Sequence, residues 1–100
     1  MNTVEINVEA FTIDAADTVA VALLDIAAGA SVRVRVGSDL RQISMRNAVP
    51  LGHKLAVTAM KKGSTVVKYG AAIASATHDI SVGEHVHVHN AESNRARRPA

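Results

Sequence analysis

Three histidines alternate with two valines in Gly83-Glu84-His85-Val86-His87-Val88-His89-Asn90. A repeat of two residues is the period of a β-strand. It puts His85, His87 and His89 on one face and turns Val86 and Val88 inward on the other. Neutral imidazoles are nitrogen ligands for metal ions and proton carriers near neutral pH. The chain has only five histidines, and valine or threonine would pack such a strand equally well. Three on one face therefore point to a metal site or a site for a substrate carboxylate. Imidazoles at i and i+2 stand about 6.5–7 Å apart along a strand. Two neighbours can converge on one ion, whereas three cannot without a bend. His85 and His87 are the expected metal ligands, and His87 is favoured because it can pair with either neighbour. His89 is left to hold substrate or transfer a proton, and Asn90 to donate a hydrogen bond to a carboxylate oxygen.

A second pair of candidates follows a proline and a glycine, in Val49-Pro50-Leu51-Gly52-His53-Lys54. Glycine lets backbone approach a ligand closely. Beside it, Lys54 can ion-pair with a substrate carboxylate, and His53 can ligate a metal or move a proton. His78 has no motif around it and reads as surface. Arg33 and Arg35 could attract an anion but read as a solvated strand face.

The elements that must position these residues are strands joined by glycine corners. Leu24-Asp25-Ile26-Ala27-Ala28-Gly29-Ala30-Ser31-Val32 has the same phrase as Ala59-Met60-Lys61-Lys62-Gly63-Ser64-Thr65-Val66 and Asp79-Ile80-Ser81-Val82-Gly83-Glu84-His85-Val86. Each has an aliphatic residue, two variable positions, glycine, two more variable positions and valine. Glycine accepts positive φ, so each phrase is a tight turn into a new strand, with its aliphatic residue and valine buried on one core. The uneven spacing argues for a compact fold with equivalent corners and against a solenoid. Ser31 to Val36 alternates strictly, with valines inward and arginines outward. Gly37-Ser38-Asp39 is a turn signal, and Gln42 to Arg46 alternates again, which predicts a hairpin; Asp39 could instead cap a short helix. Val19 to Leu24, Lys54 to Thr58, Thr65 to Tyr69, Ala72 to Thr77 and Glu84 to His89 complete an all-β reading. The domain is assigned to residues 1–90, and 91–100, polar, basic and ending Pro99-Ala100, to a tail.

Composition bounds the rest. One hundred residues make one small domain with a single core. Apolar residues are 48% of the chain, yet Phe11 and Tyr69 are its only aromatics, so the core is aliphatic. Such a core is marginal alone, which favours a partner or self-association. A net charge of +2 and the lack of stacking aromatics argue against nucleic acid. With no cysteine there is no disulfide, thiolate metal site or cysteine nucleophile. Residues 1–20 are acidic without Lys or Arg, unlike a secretory signal, and no apolar run is long enough to span a membrane. The expected setting is cytoplasmic, without nucleic-acid or membrane partners.

The residues also carry a resemblance. Val49-Pro50-Leu51-Gly52-His53-Lys54, Val67-Lys68-Tyr69-Gly70, Ala76-Thr77-His78-Asp79-Ile80 and the Gly83 to Asn90 run resemble the N-terminal SAF-type domain of the altronate/galactarate dehydratase family. Asp17 to Leu23 resembles that domain's opening strand, and the likeness covers roughly residues 10–95. Ala74 departs from it, standing where the family has a glycine. The resemblance implies a β-clip fold, a long bent two-stranded ribbon folded on itself. It also implies lyase chemistry on sugar acids, as the small subunit of a split hydro-lyase whose large catalytic subunit is a separate chain. Such subunits are similar to those of sulfolactate sulfo-lyase, in which sulfite leaves instead of water. Both reactions remove a proton beside a carboxylate and expel a β-substituent. A divalent metal that grips the carboxylate, with a base and an acid, is the expected machinery. Imidazole with carboxylate and water suits iron, manganese or zinc, and the resemblance favours Fe2+. A non-catalytic binding or assembly module is the alternative, although a carbohydrate platform would call for more exposed aromatics than Tyr69.

Overall fold

The structure, a computed structural model, describes residues 8–94. Nine strands and no helix occur among them: β1 (Ala10–Phe11), β2 (Val19–Ala22), β3 (Ser31–Val36), β4 (Asp39–Ser44), β5 (Lys54–Ala56), β6 (Thr65–Lys68), β7 (Ala71–Ala76), β8 (His85–Val86) and β9 (Ala91–Ser93). They form a six-stranded sheet in the order β4-β3-β1-β2-β5-β8 and a three-stranded sheet in the order β6-β7-β9. Only β1 and β3 run parallel; every other pair is antiparallel. The all-β expectation holds.

The three glycine phrases are corners of one design. Gly29, Gly63 and Gly83 have φ of 82°, 92° and 89°. Each is the third residue of a turn closed by a backbone bond: Ala30 N to Ala27 O, Ser64 N to Lys61 O and Glu84 N to Ser81 O. That is type II turn geometry, which requires positive φ at its third position. The flanking Ile26 and Val32, Met60 and Val66, and Ile80 and Val86 are all buried. A fourth copy escaped the sequence reading. Gly52 has φ 82°, His53 N donates to Pro50 O, and Val49 and Leu55 are buried on either side. The bridges Ile26↔Val49 and Met60↔Ile80 tie the corners in pairs. The chain thus runs corner, hairpin, corner twice, with β3–β4 in the first unit and β6–β7 in the second.

Strands β2 and β5 separate two aliphatic cores. Their alternating residues Ala20, Ala22 and Leu55 join Val32, Val34, Val36, Ile43, Met45 and Val49. Val19 and Ala56 point the other way, toward Met60, Val66, Ala74, Ala76, Ile80 and Val86. Burying a valine or leucine such as Val34 or Leu55 contributes about 1.5–3 kcal/mol. In β3 the valines are buried and Arg33 and Arg35 exposed, as the alternation predicts. Gly37 and Ser38 close the β3–β4 hairpin, so Asp39 caps no helix.

The β6–β7 hairpin turns through Tyr69 and Gly70, both at positive φ, a two-residue turn suited to the twist of paired strands. It is fastened to the larger sheet by the buried Asp17. That carboxylate accepts from the backbone N–H groups of Ile13, Asp14 and Gly70. Burial alone would raise its pKa, but bonds from Gly70, Asp14, Ile13 and Tyr69 outweigh burial and hold it below the usual value. Ile73 makes a bulge between the paired positions Val66↔Ala74 and Val67↔Ala72, beside the departure at Ala74.

Most expected strands shift by one to three residues at an end, and two larger differences lie near the C-terminal strands. The strand expected over Glu84 to His89 ends at Val86, and residues 87–90 form a turn. Val88, expected inward, is 83% exposed. Ala91–Ser93, assigned to the tail, is instead β9, paired with β7 through Ala74↔Ser93, Ser75↔Glu92 and Ala76↔Ala91. Small and polar side chains do not prevent that pairing, because the ladder is made of backbone groups. Residues 95–100 of the expected tail lie outside the described residues.

Candidate active site

The Gly52 corner delivers His53 to the entrance of β5 and makes Lys54 its first residue. The equivalent Gly83 corner delivers His85 into β8. The two strands then pair, Lys54 with Val86 and Leu55 with His85. Beyond Val86 the ladder gives way to a turn held by Asn90. Its Oδ1 accepts from His87 N at 2.9 Å and its Nδ2 donates to His85 O at 2.9 Å. Asparagine side chains compete with regular structure in this way, which is why a period-two sequence does not continue as a strand. The expectation that Asn90 would reach a substrate carboxylate is not carried by this geometry: the residue is buried and both ends of its amide are engaged in the turn.

The bend gathers the imidazoles instead of laying them out in a row. The rings of His53 and His87 are 4.6 Å apart between centroids, those of His53 and His85 5.1 Å, His85 and His87 5.4 Å, and His85 and His89 5.5 Å. The imidazole pair in hydrogen-bond contact is His53 Nδ1 with His85 Nε2, at 2.9 Å. One of these nitrogens donates and the other accepts, so the two tautomers are coupled. Asn47 fixes the backbone beneath, its Oδ1 accepting from His85 N at 3.1 Å. Nothing in the sequence spacing pointed to Asn47, which lies a whole hairpin unit away from His85.

The surroundings disfavour the charged forms of His85, His87 and Lys54. Burial, then the neighbouring His87, His53, His89 and Lys54, pushes the pKa of His85 down to about 4. His87 is lowered by burial and by His53, Lys54 and His89. Lys54 is lowered by burial and by Lys68. No acidic side chain figures among the groups acting on these three. Both shifts favour the neutral imidazole, the form that accepts a proton or binds a metal ion.

Two nitrogens each bound at ~2.1 Å to one ion, at right angles, would lie ~3 Å apart. The His53–His85 pair meets that spacing, whereas no three His, Asp or Glu side chains among the described residues are disposed as a metal site. Lys54 and His87 line an open cleft of about 200 Å³ between the two sheets, together with Val66, Ile73, Val86 and Ala91. Of the other sequence candidates, His89 is exposed at the edge of the cluster. His78 is exposed beside Thr77, and Arg33 and Arg35 lie on the outer face of β3.

Comparison with known proteins agrees with this architecture. The family described as the altronate/galactarate dehydratase SAF domain matches residues 8–94. The chain belongs to that family. Among its relatives, altronate dehydratase of Escherichia coli (strain K12) is 46% identical over 82 residues, covering 82% of this chain and 16% of that protein. Altronate dehydratase of Bacillus subtilis (strain 168) is 40% identical over 78 residues, 78% of this chain and 15% of that protein. The SAF domain therefore spans about one sixth of the altronate dehydratases that it matches. The (2R)-sulfolactate sulfo-lyase subunit alpha of Paracoccus pantotrophus is 43% identical over 58 residues, 58% of this chain and 85% of that subunit. No helix among the described residues is long and apolar enough to cross a membrane.

Proposed function

We propose that this SAF domain is the small subunit of a hydro-lyase that dehydrates a sugar acid of the altronate/galactarate type, working with a large catalytic subunit. The observation that carries the proposal is the gathering of the His53, His85, His87 and His89 rings, with Lys54 acting on His85 and His87 and no carboxylate among the described residues acting on Lys54. A cationic spot lined with imidazoles suits an anionic substrate that must lose a proton.

In that reaction the carbon beside the carboxylate loses its proton, the β carbon–oxygen bond breaks, and the departing hydroxyl takes up a proton to leave as water. Lys54 would pair with the substrate carboxylate. His87, which lines the cleft with Lys54, would accept the α-proton, and the exposed His89 would protonate the leaving hydroxyl. His53 and His85 would hold a divalent ion, Fe2+ in this proposal with Mn2+ or Zn2+ suited to the same donors, and the large subunit would complete its shell. His53 thereby takes the place beside His85 that strand alternation assigns to His87. When bound, the ion supplies Lewis-acid stabilisation of the charge that builds on the carboxylate.

The likeness to a sulfo-lyase alpha subunit supports the reading of a separate subunit and gives the second reading: the same machinery expelling sulfite from sulfolactate. The test is to purify the tagged chain with its cellular partner and assay altronate, galactarate and sulfolactate with added Fe2+. Turnover of one acid by the complex and none by the 100-residue chain alone is expected. Turnover by the isolated chain, or none by the complex, would contradict the proposal.

A further inference from the structure

The cleft behind Lys54 has a chemistry unlike that of the imidazole cluster. Its walls are the aliphatic side chains of Val66, Ile73, Val86 and Ala91, and the exposed Val88 extends the apolar lip. Lys54 and His87 also line it, and Ser93 is the one other polar side chain in the lining. No carboxylate among the described residues pairs with the Lys54 ammonium, and Lys68 is the charged group that acts on it.

We infer that this cleft is a binding site for a short aliphatic carboxylate, with its carboxylate on Lys54 and His87 and its hydrocarbon against Val66, Ile73, Val86 and Ala91. A volume of about 200 Å³ lies below the span usual for drug-sized ligands, and it suits a branched acid such as isovalerate. A polyhydroxy chain is disfavoured in the same space, because a hydroxyl turned to an aliphatic wall loses water and gains no partner. The carbon chain of a sugar acid held by Lys54 would therefore run toward the imidazoles, leaving the cleft to a different acid. Such an acid takes the ammonium that the lyase reading gives to the substrate, and would act as a competitive inhibitor of the complex. The inference rests on Lys54 as a carboxylate anchor but requires no turnover, so its failure and that of the lyase reading are separable.

The experiment is an NMR titration of the full chain with isovalerate, isovaleramide and gluconate at constant ionic strength. Isovalerate should give saturable shifts centred on Lys54, Val86, His87 and Ala91, with Kd in the millimolar range. The amide has the same shape without the charge, and gluconate has the charge without the hydrocarbon. Each should bind at least tenfold more weakly. Lys54→Met, which keeps the aliphatic stem, should weaken isovalerate binding to a similar degree while leaving the rest of the spectrum in place. Equal binding of gluconate at these residues, equal binding of the amide, or no saturable shift with isovalerate would overturn the inference.

Discussion

The strands that leave the corners at Gly29 and Gly63 run into the β3–β4 and β6–β7 hairpins, whereas those that leave the corners at Gly52 and Gly83 pair with each other. The four turns have the same backbone, with φ between 82° and 92°. The histidine–lysine cluster lies on the second pair, because pairing β5 with β8 brings His53 and Lys54 beside His85. The surroundings of the glycines differ as well. A Cβ at Gly29, Gly52 or Gly63 would meet open space, but at Gly83 it would run into the carbonyl oxygen of Ser44. A repeated turn thus serves as scaffold where its exit strand joins a hairpin, and as part of a site where two exit strands meet. The Gly83 copy is also wedged against β4.

Substituting these glycines would break the comparison most forcefully. Gly63→Ala should cost about 1–2 kcal/mol, the penalty of a left-handed backbone. Gly83→Ala adds a backbone collision and should cost about 2–5 kcal/mol in urea unfolding. Equal losses would show that Gly83 is no more confined than the others. Next in size is Asn90→Ala, which leaves His87 N and His85 O without their partner. It should destabilise by about 1–3 kcal/mol and loosen the His85 and His87 rings, seen as faster amide exchange at residues 87–91.

The pH dependence separates the two pairs of corners by charge, since Gly29 and Gly63 carry no histidine beside them. The folded pKa of His85 is lowered from 6.5 to about 4, so the unfolded chain binds the proton more readily. The resulting stability is fully present above about pH 6.5 and is lost as the pH falls toward 4. His85→Gln should flatten stability over that window in a series of urea melts. A profile that stays as steep would mean that His85 is not held neutral by the fold. The smallest effect is at the β6–β7 tip, where Tyr69 stacks on Phe11 at 6.0 Å. Phe11→Leu should cost about 0.5–1.5 kcal/mol beyond the lost burial, read as a shift in the urea midpoint.

Much of this was legible from particular residues. Strict alternation in 31–36 identified β3, and the spacing from aliphatic residue to glycine to valine identified three corners. The fourth was hidden because its leucine stands where the others have valine and its variable positions carry Pro50 and the histidine–lysine pair. Strand β1 is two residues long and has no period to read. Strand β9 pairs through its backbone, with side chains that resemble a tail. Membership of the histidine cluster was visible, but its shape was not. The alternating valines predicted a straight strand, while the Asn90 amide, bonded to His87 N and His85 O, folded it into a turn. Asn47 acts across the fold, and no local pattern reports such a contact.

The central proposal is that the imidazole–lysine cluster takes part in catalysis with a partner subunit. The direct measurement is the rate of acid elimination by the native complex carrying His87→Ala, beside His78→Ala at an exposed histidine bonded to Thr77. With assembly of the complex verified by sedimentation, His87→Ala should lower kcat by about 100-fold or more, and His78→Ala should leave it unchanged. An intact His87→Ala complex that turns over its acid at the wild-type rate would show that the histidine turn is ordinary surface.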